Sequence, residues 1–235
     1  MTQAHFQVSP IGIIHSCFKE KFGVPRQSAL APSALACLEL LPPYNSPDGV
    51  QGLEQVSHLW LQFVFHLSPE PKSLKVRPPR LGGNQKVGVF ATRSPVRPNR
   101  LGLSVVQLLK IEQAAGSVRL WLAGADLVDG TPVLDIKPYV PYADALPQAS
   151  NALAPTAPAL IAVEIPEALA VPEPVARLVR EVLSQDPRPA YQQIDPERIY
   201  GMHLLDFNLQ WRYLVSGAAQ VVALTPIEGD TTEPS

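Results

Sequence analysis

Apolar stretches in the first 140 residues of this chain are short, and proline or glycine interrupts or ends most of them. Proline accounts for 26 of the 235 residues, against a usual share of ~5%. It cannot donate to a β-ladder and breaks helix interiors, so such a chain is confined to short elements joined by loops. Strand-like runs recur from Phe6 to His15, Leu59 to Leu67, Val87 to Thr92, Leu103 to Ile111, Ser117 to Ala123 and Val133 to Tyr139. Ala114-Ala115-Gly116 reads as a hairpin turn and Asp129-Gly130-Thr131-Pro132 as a second turn. Short strands with almost no helix predict a mainly β chain whose first part, residues 1–146, is a closed or nearly closed β-barrel.

After Leu146 the pattern changes. Residues 147–160, with Pro147, Pro155 and Pro158 among alanines, read as a linker. Residues 161–235 then predict a small α+β C-terminal domain. Its helix runs from Pro172 to Ser184, with Val175, Leu178, Val179, Val182 and Leu183 at helical spacing on one face. Asp186-Pro187-Arg188-Pro189 stops it. Three short strands follow, Ile199 to Leu204, Phe207 to Val215 and Ala219 to Leu224.

Hydrophobic residues make up 46% of the chain and its formal net charge is -2, which excludes bulk disorder and a generally basic nucleic-acid binder. No apolar run reaches the ~18–20 residues of a membrane span. The start, Met1-Thr2-Gln3-Ala4-His5, lacks the layout of a signal peptide, so a cytoplasmic protein is expected. Two cysteines and five scattered histidines predict no disulfide framework and no metal site. No Gly-x-Gly-x-x-Gly, phosphate loop or nucleophile elbow is present. The charge, however, is unevenly placed. No acidic residue lies between Glu70 and Glu112, while Lys72, Lys75, Arg77, Arg80, Lys86, Arg93, Arg97, Arg100 and Lys110 do. That is the footprint of a polyanion site, or of a solvated loop whose arginines pair with acids elsewhere.

Specific motifs go further. Lys19-Glu20-Lys21-Phe22-Gly23-Val24-Pro25-Arg26-Gln27 is followed by Gly52-Leu53-Glu54 with Ser57-His58-Leu59-Trp60. Then come Arg77-Pro78-Pro79-Arg80, Gly88-Val89-Phe90-Ala91-Thr92-Arg93-Ser94-Pro95 and Arg97-Pro98-Asn99. Asp126-Leu127-Val128-Asp129-Gly130-Thr131-Pro132 and Asp135-Ile136-Lys137-Pro138-Tyr139 complete the set. In this order they closely resemble the TrmO family of tRNA methyltransferases, in which a β-barrel binds S-adenosylmethionine. The resemblance covers about residues 6–145 and reaches the tail through Asp186-Pro187-Arg188-Pro189-Ala190-Tyr191 and Asp206-Phe207-Asn208. One departure is Arg100, where family members usually have proline.

The resemblance implies methyl transfer from S-adenosylmethionine to N6 of threonylcarbamoyladenosine, just 3′ of a tRNA anticodon, by a homodimer with the cofactor near the subunit interface. It implies a cofactor site from Pro25, Arg26, Gln27, His66, Leu67, Arg93, Leu103, Ala125, Asp126 and Leu127. A guanidinium suits the cofactor carboxylate and an amide suits an adenine edge. The target nitrogen is conjugated, so a general base would help; Asp126, Asp129 and Tyr139 are the candidates, with Asp135 nearby. Arg77, Arg80, Arg97, Arg100, Lys137, Arg188 and Tyr191 are the expected RNA contacts. Blander readings stand beside these: Arg26 as a surface charge, Asp129 as a turn residue bonding its own backbone, Arg188-Pro189 as a rigid turn docking the helix. The rival functions are a non-enzymatic RNA-binding barrel and a protein that only senses S-adenosylmethionine.

Overall fold

Strand β3 (His58–Val64) buries every second residue, Leu59, Leu61 and Phe63, which is the period-2 pattern of a sheet with one wet face. β7 (Ser117–Ala123) does the same through Val118, Leu120 and Leu122. With β1 (Gly12–Ser16), β2 (Leu35–Leu40), β6 (Leu101–Ala114) and β8 (Pro132–Pro138) they close an antiparallel barrel in the order β1-β2-β7-β6-β3-β8. The structure is a computed structural model that describes residues 6–79, 85–188 and 192–227. Closure removes unpaired strand edges. Ile14, Leu38, Leu59, Leu61, Val118, Leu120, Leu122 and Val133 fill the interior, each with no exposure. Each such side chain contributes about 1.5–3 kcal/mol of burial free energy. β6 and β7 are joined through Ala115 and Gly116, whose φ of 74° is the left-handed turn conformation glycine favours.

The second unit is a four-stranded sheet in the order β10-β11-β12-β9, from β9 (Val163–Glu164), β10 (Tyr200–Leu204), β11 (Phe207–Tyr213) and β12 (Ala219–Pro226). α2 (Glu173–Leu183) covers it with Leu178, Val179, Val182 and Leu183 buried, as the helical stripe predicts. Pro172 and Pro174 start this helix, and Asp186 with φ 49° before Pro187 ends it. A short helix, α1 (Pro141–Asp144), is pinned to the barrel where Asp144 accepts from the Trp60 indole and the Val140 amide. No regular element occurs between α1 and β9.

Three local expectations need correction. Residues 6–15 are not one strand: β1 begins at Gly12, and Phe6 and Val8 are exposed. Val87 to Thr92 is not a strand either. β5 (Val87–Gly88) pairs only with β4 (Lys75–Val76), and Val89–Ala91 is a 3-10 turn closed by the Thr92 amide and hydroxyl on the Val89 carbonyl. Fully buried Val89 draws that turn inward. Finally, β2 and β9 were not anticipated. Leu35-Ala36-Cys37-Leu38-Glu39-Leu40 has weak strand propensity and is extended because β1 and β7 pair with both its edges.

Candidate active site

In this antiparallel barrel the connections 17–34, 65–100 and 124–131 all leave from the same end. That end gathers residues far apart in sequence, because β1, β3 and β7 finish there and β2, β6 and β8 begin there. Gln27 comes from the first connection, Arg93 from the second, and the Arg93 guanidinium donates to the Gln27 side-chain oxygen. Asp126 comes from the third. Burial pushes its carboxyl above the ordinary carboxylate range, opposed by the Ser104 hydroxyl, its own amide, the Arg93 charge and the Ser28 amide. Its Oδ1 is buried with no hydrogen-bond partner among the described residues, a condition usually relieved by a ligand or water. Ala125 and Leu127, flanking it, are buried.

Leu103, the third residue of β6 and the neighbour of Ser104, is 53% exposed, an apolar surface near the same end of the barrel. Pro25 is buried; Arg26 is exposed and has no polar partner among the described residues. His66 lies against the third connection, its Nε2 3.9 Å from where a Cβ on Gly130 would sit. Burial pushes its imidazole below the ordinary value, favouring the neutral ring. Leu67 is half-exposed, and its carbonyl accepts from Lys21 Nζ at 3.1 Å, tying the first connection to the second. Pro25, Arg26, Gln27, His66, Leu67, Arg93, Leu103, Ala125, Asp126 and Leu127 thus all lie on connections or strand ends at this end of the barrel, with Gln27, Arg93 and Asp126 brought together and Pro25 and Arg26 lining a cleft beside Gln185 and Arg188.

The remaining base candidates are placed differently. Asp129 is engaged on both oxygens, Oδ1 by the Ser16 amide at 2.8 Å and Oδ2 by Lys19 Nζ at 3.2 Å. That fastens the end of β1 to the Asp129-Gly130 turn. Tyr139 is not brought to the mouth. Its amide donates to the His58 carbonyl and its ring packs beside Trp60 and His58, where β3 begins, at the opposite end of the barrel. Within one chain Tyr139 therefore stands apart from Asp126.

The expected RNA contacts divide as well. Arg77 is exposed with no partner among the described residues. Arg80 and Tyr191 lie outside the described residues. Arg97 donates to the Thr92 carbonyl, and Arg100 to the Ser68 carbonyl and to Glu70 at 3.2 Å. Arg100 has φ 52°, which proline, locked near −65°, does not reach. Lys137 faces out of β8 in an ion pair with Asp135. Arg188 is held by Asp186 through two bonds, donates to the Gln192 carbonyl and lies over the Tyr213 ring, which itself bonds Asp186. That is the helix-docking turn of the blander reading. Ser28 and Ser104 were not anticipated; buried Ser104 inside an apolar strand is the one signal that could have marked either.

This end of the barrel carries the unpartnered buried oxygen of Asp126, while the guanidinium of Arg26, unpaired among the described residues, lines a neighbouring cleft with Gly23, Pro25, Gln185 and Arg188. The sequence model of the tRNA-methyltransferase O N-terminal domain matches residues 13–145, more than half the chain. The chain belongs to the TrmO family. The TrmO C-terminal domain model matches residues 159–227. A Pseudomonas aeruginosa relative described as a putative S-adenosylmethionine-dependent methyltransferase RcsF is 56% identical over 88% of this chain and 92% of its own. The tRNA (adenine(37)-N6)-methyltransferase of Escherichia coli is 48% identical over 94% of this chain and 98% of its own. A crystal structure of TrmO from Pseudomonas aeruginosa superimposes with a TM-score of 0.76 at 45% identity, covering 94% of this chain and all of that one.

Proposed function

We propose that this TrmO-family chain methylates N6 of threonylcarbamoyladenosine at position 37 of tRNA. It is an S-adenosylmethionine-dependent methyltransferase acting on N6 of that adenine. The observation that carries the reading is the meeting of Gln27, Arg93, Ser104 and Asp126 at one barrel mouth, with Asp126 Oδ1 left unpartnered. The residues present fit the cofactor: Arg26 suits its carboxylate, Asp126 its donor groups and Leu103 the face of its adenine. When bound, S-adenosylmethionine supplies a methyl group activated on a sulfonium. Arg93 holds Gln27 and so orients the first connection. Buried Ala125 and Leu127 keep water from the floor beside Asp126, where a displacement gains most from alignment. Asp126 Oδ1, with proton affinity raised by burial, takes the proton from the target nitrogen.

Selection of the threonylcarbamoyl group rests on charge. That group adds a carboxylate to the purine, and with Arg26 given to the cofactor the exposed cation left for it on the same loop is Lys21. Homodimer formation is supported by β6, which turns Leu101, Leu103 and Leu109 outward at 47, 53 and 50% exposure. Tyr139, at the far end of its own barrel, serves as base in this scheme only if a partner subunit delivers it. A cytoplasmic setting follows from the tRNA substrate; among the described residues no helix is long and apolar enough to cross a membrane. The deciding experiment offers labelled S-adenosylmethionine and tRNA with or without the threonylcarbamoyl group. Label should enter only the modified tRNA. Equal labelling of both would remove the substrate assignment, and no labelling of either would remove the enzyme.

A further inference from the structure

The connection 17–34 spans 18 residues between β1 and β2, far beyond the 2–5 residues of ordinary hairpin loops. A loop this long samples many conformations unless it is tied down, yet it carries Gln27 and Ser28 into contact with the barrel mouth. The barrel and its other connections hold it at several points: the Ala29 amide donates to the Gly124 carbonyl at 2.9 Å, the Gly124 amide to the Ala34 carbonyl at 3.0 Å and the Asp129 amide to the Phe18 carbonyl at 2.8 Å, with Lys19 on Asp129, Lys21 on the Leu67 carbonyl and Arg93 on Gln27. The C-terminal domain supplies a second set of ties, on both sides of Pro25-Arg26-Gln27.

On the near side, the Cys17 carbonyl accepts from the Leu205 amide at 2.8 Å, and Glu20 accepts from the His203 amide at 3.0 Å. The Phe22 ring stacks on Trp211 at 5.8 Å. Gly23, at φ +85°, sits so close to β10 that a Cβ there would lie 2.1 Å from the Met202 sulfur. On the far side, α2 grips the loop. Both Glu181 carboxylate oxygens accept from Ser33, one from its amide at 2.8 Å and one from its hydroxyl at 2.9 Å. Gln185 donates to the Leu30 carbonyl at 2.6 Å.

We infer that the C-terminal domain positions the cofactor loop, with Gly23, Glu181 and Ser33 as positioning residues that act through Pro25-Arg26-Gln27. None of the three reaches the mouth itself. This role is separate from any tRNA contact made by the same domain, and it rests on the reading of Pro25-Arg26-Gln27 as a cofactor site. Loop placement enters affinity for the cofactor, because a loop released on one side must be ordered again each time ligand binds.

The test uses the full-length protein with Glu181→Gln, Glu181→Ala and Ser33→Ala, and with Gln27→Ala as the reference for the cofactor site itself. Calorimetry gives S-adenosylmethionine affinity, and steady-state assays give KM for cofactor and tRNA separately. Glu181→Ala should raise Kd and KM for S-adenosylmethionine roughly tenfold, since small misplacements of binding groups carry costs of that order or more. KM for tRNA and kcat at saturating cofactor should stay within about twofold. Glu181→Gln, which keeps one acceptor oxygen, should fall between wild type and Glu181→Ala; general destabilisation would not produce that order confined to the cofactor KM. Should Glu181→Ala fail to fold, Ser33→Ala removes only a hydroxyl and carries the same expectation. Wild-type cofactor affinity in the Glu181 and Ser33 variants, with weakened affinity in Gln27→Ala, overturns the positioning role alone. Unchanged affinity in Gln27→Ala as well overturns the cofactor-loop assignment and the positioning role with it.

Discussion

Asp126 combines two linked properties, a buried oxygen without a partner among the described residues and a carboxyl that the same burial raises. Because its proton affinity is raised on folding, the protonated form stabilises the native state. That contribution is fully present below the ordinary carboxylate range and is lost as pH rises through the raised value. The same titration should appear in catalysis as an acid limb in kcat lying above the ordinary carboxylate range. Asp126→Asn should remove the limb and lower kcat about 10²-fold or more. In urea unfolding, that variant should gain stability over wild type as pH rises. An unaltered pH–rate profile would take Asp126 out of proton transfer. At this scale motif order made Asp126, Gln27 and Arg93 legible as a set. It could not rank Asp126 over Asp129, since only the fold shows Asp129 occupied by Ser16 and Lys19. Ser28 was invisible because a serine carries no spacing of its own, and Ser104 was marked only by interrupting an apolar strand.

Among the elements, the 65–100 connection shows how far charge counting goes. Its acid-free run is plain in the sequence, but which cations remain available was decided by packing. Arg93 is bonded to Gln27, Arg97 to the Thr92 carbonyl, and Arg100 to Ser68 and Glu70. Lys75 and Arg77 are exposed and unpaired among the described residues. Charge reversal at both, Lys75→Glu with Arg77→Glu, should weaken tRNA binding. The slope of log K against log salt should shrink by about one for each phosphate that the variant no longer neutralises. Filter binding across a salt series measures this, and an unchanged slope would move the RNA path off this connection. Helix α2 was legible to within a residue because its stripe and its flanking prolines are local signals. β2 was not, because its leucines, alanine and glutamate favour a helix as readily as a strand and only its two neighbours extend it.

For the whole molecule, the outward leucines of β6 and the placement of Tyr139 bear on assembly. Leu109→Glu puts a charge on that apolar face away from the mouth, and should convert a dimer to monomers in sedimentation velocity while leaving the circular dichroism spectrum unchanged. A wild-type sedimentation coefficient would place the subunit contact elsewhere. Within one chain, the sequence by itself determined the inventory: short strands, one amphipathic helix, two domain-sized segments and an ordered set of family motifs. All of these are set by local chemistry, namely where proline interrupts the ladder, where alternation has period two and where it follows the helical repeat. The tertiary structure alone decided that three connections leave one end of the barrel, that Tyr139 lies at the other, and that the first connection rests on the C-terminal domain. Those facts depend on the order in which strands pair and on contacts between residues more than a hundred positions apart, and no local pattern encodes either.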